Sequence, residues 1–130
     1  MRIPVVLLRI GGVFNLLYGL LHMAFWNHFN WSEELALLRV ENSNIMQMMN
    51  LVLIAFFFYT GFVFLAMPVK ILSNGVGRMF IGLFIFLFAS RLIMEFYFPG
   101  TSMVFALIMV VTLLCFVVPL LQTKTLSHAH

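Results

Sequence analysis

Residues 79–98, MFIGLFIFLFASRLIMEFYF, form a nearly unbroken apolar run of about 20 residues, the length a helix needs to cross a bilayer. Its continuity speaks for a helix rather than a barrel strand, which would alternate apolar and polar positions. Two charges interrupt it, Arg91 and Glu95. A charged side chain costs roughly 2.5–3.5 kcal/mol at the bilayer centre on insertion scales. At i, i+4 spacing the two share one helix face, about 6 Å apart along the axis. That face is expected to point into the protein, to carry a buried ion pair and to mark the site.

Composition extends this reading to the whole chain. Of 130 residues, 64% are hydrophobic and 8% charged, and the mean hydropathy is +1.12. A soluble domain holds roughly 45–50% apolar and about 25% charged residues. So few charges cannot build a water-exposed surface, and the chain reads as one integral membrane domain. The net charge of +3 comes from scattered residues with no basic patch or recognition motif, which argues against nucleic acid as a partner. Cys115 is the single cysteine, so no internal disulfide can form.

Three more runs have spanning length, at 3–26, 45–67 and 102–121, beside 78–98. The first carries Asn15, Tyr18 and His22 and lacks a small-residue cleavage pattern, so it reads as a mature helix rather than a signal peptide. Asn74-Gly75 marks a turn within 68–77, and Pro99-Gly100 another. Residues 31–40 begin Trp31-Ser32-Glu33-Glu34, with an N-cap residue and acids in a first turn, and predict a short amphipathic helix on the membrane interface. The fold expected is an all-α, four-span antiparallel bundle with that interfacial helix between spans one and two, followed by a disordered polar tail at 122–130. Arg2, Lys70, Arg78 and Lys124 fall on one side, while Arg39 faces Glu33, Glu34 and Glu41 on the other. The positive-inside rule then puts both termini in the cytoplasm, in a bacterial inner (plasma) membrane.

With that topology, polar residues distant in sequence share a depth. His22 lies a turn or so from the end of span one, Gln47 and Asn50 open span two, and Arg91 and Glu95 lie about 10 and 5 Å from the end of span three. Asn15, Tyr18 and His22 follow i, i+3, i+7 and form one stripe, and Gln47 and Asn50 share a face with Gly61. Gly11, Gly12 and Gly19 would let neighbouring helices approach. We therefore expect a ligand-binding cluster of Asn15, Tyr18, His22, Gln47, Asn50, Arg91 and Glu95 in the outer leaflet.

In that cluster Arg91 offers a forked donor to a carboxylate, phosphate or quinone-type oxygen. His22 is the natural proton carrier, Glu95 orients the Arg or exchanges protons, and the amides fix orientation. Such a set suits a lipid-like or amphiphilic ligand. It equally suits interhelical hydrogen bonding in an accessory subunit, a homo-oligomer or a larger membrane complex, and proton transfer by His22 and Glu95 in an enzyme. Met23, Met46, Met48, Met49, Met94 and Met103 beside His22 and His28 leave copper handling as a further alternative. Haem fits poorly, since His22 alone lies inside a span. Phosphate-binding glycine loops, H-E-x-x-H, C-x-x-C and serine-nucleophile motifs are absent. The helix number and the early Arg9-x-Gly11 pattern resemble the DoxX-like group of small bacterial membrane proteins. Three residues carry no activity or site residue across, and no cofactor is implied.

Overall fold

A computed structural model describes residues 3–98, 100 and 102–127, with side chains as far as Gln122. The order is α1 (Ile3–His28), α2 (Trp31–Glu34), a 3-10 turn (Leu35–Leu37), α3 (Val40–Ala66), α4 (Pro68–Ser73), α5 (Gly75–Tyr97) and α6 (Met103–Ser127), with no strand among the described residues. Four of these, α1, α3, α5 and α6, are long and apolar enough to cross a membrane.

The helix limits differ from expectation where polar residues proved compatible with helix. The segment expected at 31–40 is helical only through Leu37, because Leu38 and Arg39 take extended ψ values of 160° and 144°. Of α2 and the 3-10 turn, Leu35 alone is buried, so little packing holds the segment helical. Helix α3 starts at Val40, five residues ahead of the expected span, and Glu41 in its first turn complements the helix dipole. Where a turn was expected at 68–77, Pro68 starts α4, being preset for a first helical turn. Asn74 ends it and caps α5, accepting a 3.0 Å bond from Gly77 N. A Cβ on Gly77 would overlap the Ile71 carbonyl, so only glycine lets α4 and α5 meet this closely. Much of the tail expected to be disordered belongs to α6, and its last residues, including His128 and His130, lie outside the described residues.

Packing centres on α1, which lies along α3 and also against α6, while α5 packs on α6. The glycines make these approaches close. A Cβ on Gly12 would sit 3.0 Å from the Gly61 carbonyl on α3, and one on Gly11 would sit 2.8 Å from the Phe116 ring on α6. In lipid such backbone proximity matters, because van der Waals packing rather than water exclusion drives helix association. Helices α3 and α5 are different: among the described residues no Cα of one comes within 8 Å of the other. Rings fill that gap. Phe56 of α3 stacks on Phe84 of α5 with centroids 5.5 Å apart and planes at 6°, and Phe64 meets Phe84 edge-on at 4.9 Å. Phe116 of α6 closes the cluster from behind at 5.0 Å from Phe64 and 5.3 Å from Phe84. Aromatic pairs of this kind contribute about 0.5–1.5 kcal/mol each beyond the area they bury. Helix α4 buries Pro68, Ile71 and Leu72 and touches all four long helices, closing one end of the bundle. The polar residues gather toward the other end.

Candidate functional site

The stripe on α1 is the backbone of the site. Each of its three polar residues bonds to a different position on a neighbouring helix. Asn15, fully buried, donates from Nδ2 to Thr60 Oγ1 of α3 at 3.1 Å, and Thr60 donates onward to the Phe56 carbonyl at 2.7 Å. Tyr18 meets Thr112 of α6, with oxygens 3.0 Å apart, and Thr112 donates to the Ile108 carbonyl at 2.8 Å. His22 Nδ1 lies 2.7 Å from Asn50 Oδ1 of α3, while Asn50 Nδ2 donates to the His22 backbone carbonyl at 2.9 Å. These bonds tie α1 to α3 at two positions and to α6 at one. Their physical warrant is that a polar group without a partner is costly where no water competes. Asn15 Oδ1 is the exception, buried with no hydrogen-bond partner among the described residues.

Two of the three stripe residues border a cavity of about 250 Å³. Tyr18, His22 and Arg91 supply its polar groups, and Phe56, Phe57, Phe84, Phe88 and Phe105 supply ring walls. Leu53 of α3 and Leu87 of α5 complete its edge, and both are more than a third exposed. The hollow therefore lies beside the ring-filled gap between α3 and α5. Its floor is the Phe84 cluster.

The remaining expected residues fall in different places. Arg91 and Glu95 do pair, at 2.7 Å, but the expectation of a buried ion pair is not met. The guanidinium side chain is 51% exposed and the carboxylate side chain 10%. The i, i+4 spacing put both on one face, and that face turns along the edge of the bundle. Arg91 leans over the Phe105 ring at 5.6 Å, and Glu95 also accepts from Ser102 N at 3.3 Å, linking α5 to the start of α6. Asn50 stands behind His22 rather than on the cavity wall, and Asn15 is sealed deeper between α1 and α3. Gln47 borders another hollow of about 470 Å³, shared with Trp26, Trp31 and Leu35 beneath the α2 segment.

Thr60 and Thr112 escaped sequence reasoning although each completes a bond of the stripe. A threonine in an apolar helix ordinarily bonds its own i−4 carbonyl, as both do here, and so gives no sign of a second partner. The ring walls were more accessible to inspection: Phe80, Phe84 and Phe88 recur every four residues and form one aromatic face of α5. For metals, no group of three or more His, Cys, Asp or Glu able to hold an ion occurs among the described residues.

Cross-linked polar residues inside four membrane-length helices define the class: a small helical membrane protein. No family model, curated protein or solved structure matches the chain. The likeness of Arg9-x-Gly11 to the DoxX-like group thus gains no support, and no family is assigned.

Proposed function

We propose that this chain binds a small amphiphilic, lipid-like ligand between its helices. The observation that carries the reading is the cavity bordered by Tyr18, His22 and Arg91 and otherwise walled by phenylalanine rings, Leu53, Leu87 and Met109. Binding sites are commonly apolar hollows with few oriented polar groups. At about 250 Å³ the space falls below the roughly 300–1,000 Å³ typical of drug-sized ligands. It suits the head of an amphiphile whose chain continues into the bilayer past Leu53 and Leu87. In this reading the bundle is antiparallel, the α2 segment rests on the membrane interface, and the cavity opens in the outer leaflet. The charge distribution supports cytoplasmic termini, and the membrane in this reading is a bacterial inner membrane.

Native mass spectrometry of the full chain released from several detergents tests the proposal. A stoichiometric small-molecule adduct is expected that weakens in an Arg91→Met/Glu95→Leu variant of unchanged melting temperature. An adduct equally retained by that variant, or none in any detergent, would refute it. A second reading rests on the exposed Arg91 side chain, which in a bilayer calls for a neighbour. On that account the chain is an accessory subunit or homo-oligomer, and a larger complex would survive mild detergent.

A further inference from the structure

The polar atoms at the cavity have determinable roles. A backbone carbonyl can only accept, so the Asn50 group 2.9 Å from the His22 carbonyl must be its NH2. The Asn50 oxygen then faces His22 Nδ1 at 2.7 Å, and Nδ1 must carry a proton. In the neutral ring this leaves Nε2 as a bare acceptor. Nε2 makes no hydrogen bond to protein among the described residues, and His22 borders the cavity. Tyr18 reads the same way. The Thr112 hydroxyl proton is committed to the Ile108 carbonyl, so Tyr18 donates its own to Thr112 and keeps only oxygen lone pairs to offer. Two acceptors therefore border the space.

Arg91 supplies the donors. One guanidinium nitrogen is held by Glu95 at 2.7 Å, and the side chain is half exposed above Phe105. Because Glu95 balances its charge, an anionic ligand would set two anions against one cation. A neutral oxygen acceptor meets no such repulsion. The site asks for a head that is neutral, donates a hydroxyl proton on one side and accepts on the other. The walls add flatness. Phe56, Phe57, Phe84, Phe88 and Phe105 present faces and edges that favour another ring over a branched or charged group.

Resting on the binding role proposed above, we infer that the ligand class is hydroxyaryl amphiphiles: a phenolic ring donating to His22 Nε2 and accepting from Arg91, with an alkyl chain leaving between α3 and α5. The exit follows from the missing backbone contact there, since displacing Leu53 and Leu87 opens a path without separating packed helices.

The test uses the full chain in lipid nanodiscs, titrated with 4-octylphenol, octylbenzene and octanoate and read by native mass spectrometry. The phenol is expected to bind at least tenfold more tightly than either analogue. His22→Phe, checked for an unchanged melting temperature, is expected to remove the preference over octylbenzene. His22→Gln, which retains a side-chain acceptor, is expected to restore part of it. Leu53→Trp is expected to weaken the phenol by filling the exit. Equal binding of all three probes, each weakened by Leu53→Trp, would overturn the hydroxyaryl inference and leave the binding site standing. Preference for octanoate would overturn the neutral head. No binding by any probe would sink both.

Discussion

Replacing Gly61 by alanine adds one methyl group where the backbones of α1 and α3 approach closely. That Cβ would lie 2.7 Å from Leu16 Cδ2 and 2.9 Å from the Gly12 carbonyl oxygen. The leucine methyl can swing away, but the carbonyl belongs to a helix backbone. It falls about 0.6 Å short of the ~3.5 Å at which carbon contacts become favourable, so the helices must separate or shift. Overpacking of this kind costs about 1–3 kcal/mol, offset by roughly 0.5–1 kcal/mol for removing a helical glycine. The net expectation is a loss of about 1–2 kcal/mol. Gly82 on α5 is the internal control, since a Cβ there meets nothing within 4 Å. Its alanine variant keeps the propensity gain alone, so the two should differ by about 2 kcal/mol, roughly 30-fold in the unfolding constant. Both are measured by denaturant titration in mixed micelles, followed through Trp26 and Trp31 fluorescence. If Gly61→Ala and Gly82→Ala fall within about 0.5 kcal/mol of each other, the close α1/α3 approach does not exist.

Other variants probe the polar bonds. Thr60→Val leaves the buried Asn15 amide with neither group bonded and should destabilise by about 1–3 kcal/mol in the same titration. Asn15→Leu combined with Thr60→Val removes the bond and the orphaned Oδ1 together, and its stability should return to within about 1 kcal/mol of wild type. Tyr18→Phe loses one interhelical bond, for which about 0.6 kcal/mol and at most ~1.7 is expected; a larger loss by thermal melting would mean the hydroxyl has another partner. Arg91→Met takes the cation away from the nearly buried Glu95 carboxylate, which keeps its bond from Ser102 N, and should be less stable than Arg91→Met/Glu95→Leu by about 2 kcal/mol, below the ~3–5 of a fully buried pair because the guanidinium is half exposed. Equal stability of the two variants would show that the Glu95 carboxylate does not depend on Arg91 for its stability.

The spans and the α1 stripe were legible in the sequence because length and polar spacing are both strong signals in an apolar chain. Asn15, Tyr18 and His22 could be placed on one face, and the His22 and Asn50 encounter followed from their shared depth. Which face of α5 turns inward was not legible. When core and lipid are both apolar, hydrophobic periodicity loses its contrast, so the inward direction expected for the common face of Arg91 and Glu95 rests on the cost of charge in lipid alone, and the half-exposed guanidinium does not meet it. Gln47 illustrates the same limit, sharing a face with Asn50 by phase yet bordering a different hollow. Helix α4 was hidden by its own turn residues, since Pro68 and Asn74-Gly75 signal a break as readily as a start and a cap.

The absence of backbone contact between α3 and α5 has a mechanical consequence. By packing, the helices run in a row, α3 on α1, α1 on α6 and α6 on α5, joined at one end by α4, so α3 and α5 are the two edges without backbone contact to each other. Rings can flip and slide at little cost compared with parting close-packed glycines, so thermal breathing is expected on that side, where backbone amides should exchange fastest. The protein would then flex like a book whose spine is α1 against α6, its pages separated by phenylalanine.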